Sequence, residues 1–152
     1  MNPVSEIPGL LQGLSFFRQL THAEINLLAP LCTVREGQAG ERLIEQNDQV
    51  RDLFFLLSGE ADVIKKGPGG KPCVLASLNK GTVLGEMSFF DQGVASATVK
   101  TRTPFRALII QQTALQKLLD MHPALGYKIV TKIAELISLR LRKTSNLRSE
   151  HA

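Results

Sequence analysis

Short apolar runs separated by glycine and polar residues fill the middle of the chain, from residue 33 to about 110. They recur at a spacing of roughly ten residues, which is typical of an all-β barrel or sandwich. The runs are predicted as the strands TVREGQ, RLIEQ, DLFFLLSG, EADVIKK, PCVLASL, TVLGE, SATVKT and RALIIQ. Residues 66–71 (KGPGGK) are predicted as a hairpin tip, because the three glycines favour positive φ and Pro68 fixes a turn.

Helical patterns precede and follow the strands. Thr21 and Glu24 have the spacing of a capping box, which predicts that a helix begins there. After the strands, Thr113 is predicted to cap a short helix, and a longer helix is predicted over about residues 124–144.

The length of 152 residues suits one domain with a proper core. We therefore expect a single domain over residues 1–152, with N-terminal helices over about 10–32, a β-barrel over 33–112 and two C-terminal helices over 113–147. The expected fold class is mainly β with flanking helices.

The longer C-terminal helix is apolar around well over half of its circumference, whereas a helix that lies on one domain needs an apolar stripe of only about 100°. The extra width predicts a second buried face, most simply against the same helix of a second copy in a twofold homodimer. The residues expected on this dimer helix are Ile129, Val130, Ile133, Ile137, Arg140 and Leu141. Arg140 is the polar exception, and three roles stay open: pairing across the interface, reaching a ligand, or extending to water.

Composition favours an ordinary globular protein, with 43% hydrophobic and 21% charged residues. No apolar run approaches the roughly 20 residues that span a bilayer. No secretory signal is found at the N-terminus, so we expect a cytoplasmic protein. Cys32 and Cys73 form no CxxC pair, and thiols in a reducing compartment are the simplest interpretation.

The net charge of +4 falls entirely within residues 126–152, because the acidic and basic residues before them balance. Such a basic end suits nucleic acid, an anionic membrane or an acidic partner, but a solvated helix face is the simpler interpretation. His22, His122 and His151 have no metal-ligand spacing with one another or with the cysteines. No motif places a nucleophile beside a base. We therefore expect neither a metal site nor an enzyme.

The loop LGEMSFFDQGVASATV, residues 84–99, leaves a strand at Gly85, passes through a short helical segment and re-enters a strand. It offers backbone N–H groups and the carboxylate of Glu86, but it contains no basic residue.

The order of these elements, with the segments EGQAGERLIEQNDQVRDLFFLLSGEADV and LNKGTVLGEMSFFDQGVASATVKT, resembles the cyclic-nucleotide-binding domain family. That family includes the sensory half of catabolite-activator-type regulators and the regulatory subunits of cAMP-dependent kinase. The resemblance covers about residues 10–139. It implies a jelly-roll-like barrel, a double-stranded β-helix, that holds cAMP or cGMP and passes the presence of the ligand to the C-terminal helices.

The second segment resembles the phosphate-binding cassette of the family. In that resemblance Gly85 allows close approach of a ligand, Glu86 accepts the ribose 2′-hydroxyl, and backbone N–H groups hold the cyclic phosphate. The seven positions involved, called the cassette residues below, are Gly85, Glu86, Met87, Ser88, Ala95, Ser96 and Ala97.

Ala95 departs from the family pattern, because binding members have an arginine at this position that neutralises the phosphate. Truncating one partner of a buried charge pair costs on the order of 2–5 kcal/mol, which is roughly 30-fold to several-thousand-fold in affinity. The basic residues available as substitutes are Lys100, Arg102 and Arg106 downstream and Arg140 on the closing helix. Lys100 is expected to point to the opposite face of its strand.

The expected function is a regulatory signalling module with weak, altered or lost cAMP or cGMP binding. It would act through a homodimer or through a signalling protein partner. The alternative is a functional cAMP or cGMP sensor that uses a substitute cation for the phosphate. No cofactor is expected other than such a cyclic nucleotide. Sequence-specific DNA binding is not expected, because the relatives that bind DNA place a helix-turn-helix module after the long helix and this chain stops at Ala152.

Overall fold

Two four-stranded antiparallel sheets form the centre of the computed structural model, which describes residues 3–91 and 93–151 and the side chains of residues 6–91 and 93–143. The strands are β1 (Cys32–Gly37), β2 (Arg42–Ile44), β3 (Asp52–Ser58), β4 (Ala61–Lys66), β5 (Pro72–Leu78), β6 (Val83–Leu84), β7 (Thr98–Thr101) and β8 (Phe105–Gln111). One sheet has the strand order β1-β8-β3-β6 and the other β2-β7-β4-β5. Each strand corresponds to one of the predicted apolar runs, so the mainly β fold class is confirmed.

Helices precede and follow the strands in the chain, and one short helix lies between β6 and β7. They are α1 (Pro3–Gly13), α2 (His22–Leu28), α3 (Ser88–Asp91), α4 (Gln112–Met121) and α5 (Pro123–His151), with 3-10 turns at Ser15–Phe17 and Ala29–Leu31. The predicted capping box begins α2: the N–H of Glu24 donates to Thr21 Oγ1 over 3.2 Å, and the N–H of Thr21 donates to Glu24 Oε1 over 2.9 Å. Within the described residues, no helix is both long enough and apolar enough to cross a bilayer.

Strand β3 is apolar on both faces because it separates two cores. Leu53 and Phe55 belong to the core beneath the helices, where the Phe55 ring lies 5.2 Å from Phe16 and 5.0 Å from Phe17. Phe54 and Leu56, which alternate with them, belong to the core between the sheets. This is why the strand appears in the sequence as a continuous apolar run rather than as an alternating one.

Two local predictions were wrong. Helix α4 begins at Gln112, and Gln111 rather than Thr113 is its N-cap. The reason is that β8 leads directly into α4, and the N–H of Gln112 is satisfied by the carbonyl of Arg51 at 2.9 Å instead of by a capping side chain. In the β4–β5 hairpin tip, Gly69 and Gly70 have positive φ, whereas Gly67 does not.

Helix α5 buries its first half against its own domain. Ile129 and Ile133, which were expected at a dimer interface, are 1% and 0% exposed in the core beneath the helices. On a different side of the helix, Val130 and Leu141 remain exposed. The wide apolar arc therefore divides into a face used within the domain and a face that is not.

Candidate ligand-binding site

All seven cassette residues line one cavity of about 400 Å³, which lies between the cassette, the inner face of the second sheet and α5. Val63 of β4 and Val99 of β7 supply apolar wall. Two carboxylates, those of Glu86 and Asp91, and the guanidinium of Arg140 also border the cavity. The structure thus brings together residues that the sequence predicted as one site, while ligand binding there stays a prediction.

Gly85 fixes the entry to the cassette through its backbone. Its φ is +85°, a conformation that L side chains rarely adopt, and a Cβ at this position would lie 2.4 Å from the carbonyl oxygen of Asp52. The Gly85 carbonyl accepts a hydrogen bond of 2.9 Å from Gln112 Nε2. Together these constraints place the next residue, Glu86, inward, where it is 3% exposed.

The turn after Glu86 is held by short-range polar contacts. Ser88 Oγ donates to the carbonyl of Gly93 over 3.2 Å, and the N–H of Gly93 donates to Asp91 Oδ1 over 2.8 Å. Gln116 Nε2 donates to the carbonyl of Phe89 over 3.2 Å. The turn is therefore closed on itself and also attached to helix α4.

Gln112 and Gln116 were not identified from the sequence, although both anchor cassette carbonyls to α4. Their spacing of one helical turn places them on the same side of the helix. Polar residues at that spacing, directly after the last strand, were the only sign available. The two bonds give the cavity a direct mechanical link to the C-terminal helices.

Ala95 occupies the position where a cation was expected, and its backbone is firmly placed. Its N–H donates to the carbonyl of Asp48 and its carbonyl accepts from the N–H of Asn47, both over 2.8 Å. The methyl group lines the cavity and the residue is 8% exposed. A side chain at this position therefore projects into the cavity, and here it carries no charge.

Three of the four proposed substitute cations lie elsewhere. Arg102 forms ion pairs with Glu60 and Asp62, and Arg106 binds Glu6 over 3.2 Å. Lys100 is next to Val99 on β7 and therefore points away from the wall to which Val99 contributes, as predicted.

Arg140 is the fourth, and it does reach the cavity. Its guanidinium forms an ion pair with the carboxylate of Glu86, and its Nη2 donates to the carbonyl of Val83 over 2.9 Å. Burial lowers the pKa of Arg140, but a guanidinium remains protonated at neutral pH. Among the described residues that line the cavity, Arg140 is the only basic one, and its charge is opposed by that of Glu86.

The sequence profile described as "Cyclic nucleotide-binding domain" matches residues 34–122, which is more than half of the chain. The chain belongs to the cyclic-nucleotide-binding domain family. The matched region contains β2 to β8, the whole cassette and α4. The profile match thus covers the elements that form most of the cavity, whereas Arg140 lies outside it.

Individual relatives extend this comparison. The "cAMP-activated global transcriptional regulator CRP" of Salmonella typhimurium is 25% identical over 117 residues, covering 76% of this chain and 56% of that protein. "Glutaminase 1" of Bradyrhizobium diazoefficiens is 31% identical over 132 residues, covering 87% of this chain but only 20% of that protein. A crystal structure of a cyclic nucleotide-binding domain from Methylobacillus flagellatus superimposes with a TM-score of 0.82 at 24% identity, over 98% of this chain and 84% of that one. The match to the Salmonella regulator therefore spans about half of that protein's length, 56%.

The exposed face of α5 has a regular spacing that the sequence-based prediction missed. Starting from Tyr127, apolar residues recur at alternating intervals of three and four, which is the a/d spacing of a coiled coil. We call this set the α5 seam: Tyr127, Val130, Ala134, Ile137 and Leu141. Ile137 is half-buried, and the other four are exposed within the single chain.

Proposed function

We propose that this protein is a regulatory module of the cyclic-nucleotide-binding family that binds cAMP or cGMP only weakly and acts as a homodimer. The observation that carries the proposal is that all seven cassette residues line one cavity, with the uncharged Ala95 among them. In this proposal the cavity keeps the shape of a sugar-phosphate site but lacks the charge that would neutralise the phosphate. The naming of the Salmonella relative as cAMP-activated supports the choice of ligand class.

Electrostatics explain why the binding would be weak. Glu86 and Asp91 border the cavity, and both repel an anionic ligand unless a cation offsets them. Arg140 offsets Glu86 but is already bound to it. With a loss on the order of 2–5 kcal/mol for the missing charge partner, an ordinary micromolar affinity would fall toward the millimolar range.

The α5 seam supports the dimeric part of the proposal. Tyr127 is 74% exposed and Leu141 is 64% exposed, and an apolar stripe at coiled-coil spacing is the kind of surface that a second copy of the same helix covers. Ile129 and Ile133 are used inside the domain, so the proposed interface no longer includes them. A signalling protein partner at the same surface is the alternative occupant.

We place the module in the cytoplasm and assign it no catalysis of its own. Cys32 and Cys73 are both free, and burial raises the pKa of the Cys32 thiol to about 12. We therefore assign no reactive thiolate to Cys32. The match to a fifth of a glutaminase is compatible with a domain that accompanies other activities rather than performing them.

A second candidate is a functional cAMP or cGMP sensor in which Arg140 replaces the missing cation. The presence of its guanidinium at the cavity favours this candidate. For this role Arg140 would have to leave Glu86 and bind the phosphate when the nucleotide enters.

Calorimetric titration of cAMP and cGMP into the wild type and into Ala95→Arg tests the proposal. We expect millimolar binding by the wild type and binding stronger by roughly 30-fold to several-thousand-fold in Ala95→Arg. Ala39→Arg, which adds the same charge at an exposed turn away from the cavity, is the matched control and should change nothing. Sub-micromolar binding by the wild type would refute the proposal, and loss of that binding in Arg140→Met would establish the second candidate.

A further inference from the structure

The ion pair between Arg140 and Glu86 joins the far part of α5 to the cassette. Residues 138–143 of α5 are exposed, so this part of the helix has left the core that holds its first half. Arg140 nevertheless reaches back to Glu86 and to the carbonyl of Val83. These contacts attach to the barrel a stretch of helix that apolar packing no longer holds.

Glu86 has a physical need for such a partner. It is 3% exposed, and a buried ionised carboxylate is strongly unfavourable unless a cation or several hydrogen-bond donors satisfy it. The guanidinium of Arg140 meets that need from outside the cassette. The two contacts of Arg140 with Glu86 and Val83 therefore support both the cassette and the helix.

Under the proposed function, Glu86 is also the group that accepts a hydroxyl of the ligand. Arg140 pairs with Oε1 of Glu86, and both residues line the cavity. A ligand hydroxyl that binds this same oxygen therefore has to take the place of the guanidinium. We infer that Arg140 is a built-in competitor for the cavity, and that a hydroxyl-bearing ligand which binds Glu86 displaces it and releases the second half of α5. The ligand half of this inference rests on the proposed function, whereas the attachment of α5 by Arg140 does not.

Displacement of Arg140 would also affect the proposed dimer surface, because Arg140 directly precedes Leu141 of the α5 seam. When Arg140 is bound to Glu86, the end of the seam is fixed relative to the barrel. When the pair opens, that end is free to turn or bend. Occupancy of the cavity would thus be transmitted to the seam through one side chain, in addition to the link through Gln112.

The attachment can be tested without any ligand by hydrogen–deuterium exchange of the full chain. In Arg140→Met we expect amide exchange over residues 134–143 to be about tenfold faster than in the wild type, with β3 and β8 unchanged. Arg142→Met removes the same charge from an exposed position on the same helix and should leave exchange unchanged. Equal exchange in Arg140→Met and Arg142→Met would overturn the inference.

Arg140→Met leaves the carboxylate of Glu86 buried without its cation, which could unfold the protein. A second variant separates such unfolding from the release of α5. The double variant Glu86→Gln/Arg140→Met removes both charges. It should fold as stably as the wild type and still show the faster exchange over residues 134–143. A folded double variant with wild-type exchange in that helix would show that other contacts hold it.

The competition is tested in the Ala95→Arg background by calorimetric titration of cAMP. Adding Arg140→Met should strengthen binding about tenfold, since the competitor is gone and the guanidinium introduced by Ala95→Arg remains as the cation at the cavity, while adding Arg142→Met should not. Weaker binding would overturn the inference and identify Arg140 as a ligand contact. If Ala95→Arg binds no nucleotide at all, the proposed function fails together with the ligand half of the inference, and the exchange experiment still decides whether Arg140 holds α5.

Discussion

Leu141→Asp is expected to dissociate the proposed dimer without unfolding its subunits. Leu141 is 64% exposed in the single chain. Full burial of a leucine side chain stabilises by about 1.5–3 kcal/mol, so covering the remaining surface contributes about 1–2 kcal/mol per subunit. Twofold symmetry doubles this to about 2–4 kcal/mol per dimer, which corresponds to a dissociation constant raised roughly 30-fold to 900-fold.

Sedimentation velocity over a concentration series measures this change directly, and circular dichroism verifies that the subunits remain folded. Leu139→Asp is the matched control, because Leu139 is 54% exposed on the same helix. It lies about 160° away around the helix axis, outside the α5 seam. Equal weakening by both substitutions, or no weakening by Leu141→Asp, would refute the seam. A wild type that is monomeric at every concentration would refute the dimer itself.

Three further predictions concern the fold and the cassette. A strained φ costs about 1–2 kcal/mol. Gly85→Ala should lower the free energy of unfolding, measured by a urea melt, by more than this, because the new Cβ would also lie 2.4 Å from the Asp52 carbonyl oxygen. Ile133→Ala, at a position 0% exposed, should lower the free energy of unfolding by about 2–5 kcal/mol, and this loss should be the same at low and high protein concentration. The Lys128 ammonium, 2.7 Å from Glu24, lowers the pKa of that carboxyl. The stability lost in Lys128→Met should therefore be greatest above the usual pKa of Glu24 and should shrink as the pH falls through the lowered pKa, which melts from pH 7 to about pH 2 would follow.

Each of these has its own check. Gly40→Ala has a similar φ of +90° but an open space around the new Cβ, so it isolates the cost of the backbone conformation; equal losses at both glycines would contradict the contact argument. If the stability lost in Ile133→Ala disappeared at high protein concentration, Ile133 would lie at a dimer interface and not in the core of the domain. A pKa of Glu24 that does not rise in Lys128→Met, measured by NMR, would contradict the pairing of α2 with α5.

Much of the fold could be predicted because its signals are local. A turn residue determines the conformation of its immediate neighbours, and a short apolar run between two turns predicts a strand. The capping box at Thr21 and Glu24 is closed within one helical turn, so its spacing alone was sufficient. The cassette was recognisable for the same reason, since its residues lie within one short segment and the structure brings them to one cavity.

The partners of single side chains could not be predicted in this way. The contacts of Gln112 with the Gly85 carbonyl and of Arg140 with Glu86 join residues that are distant in the sequence. Four basic residues were available to the cavity on composition alone, and only the packing of the barrel and α5 determined which of them reached it. Thr113 shows the same limit at short range, because the N–H of Gln112 is satisfied by the carbonyl of Arg51, across the sheet.

Helix α5 shows most clearly what the sequence determined and what only the tertiary structure decided. Its sequence alone established that the apolar surface is too wide for a single contact, because helical periodicity determines which residues share a side. It did not determine which part of that surface the domain itself would cover, because Ile133 and Leu141 are equally apolar and burial depends on what lies opposite. The tertiary structure decided this by packing Ile129 and Ile133 on the first sheet and its helices, which left the α5 seam exposed except for the half-buried Ile137 and brought Arg140 to the cavity.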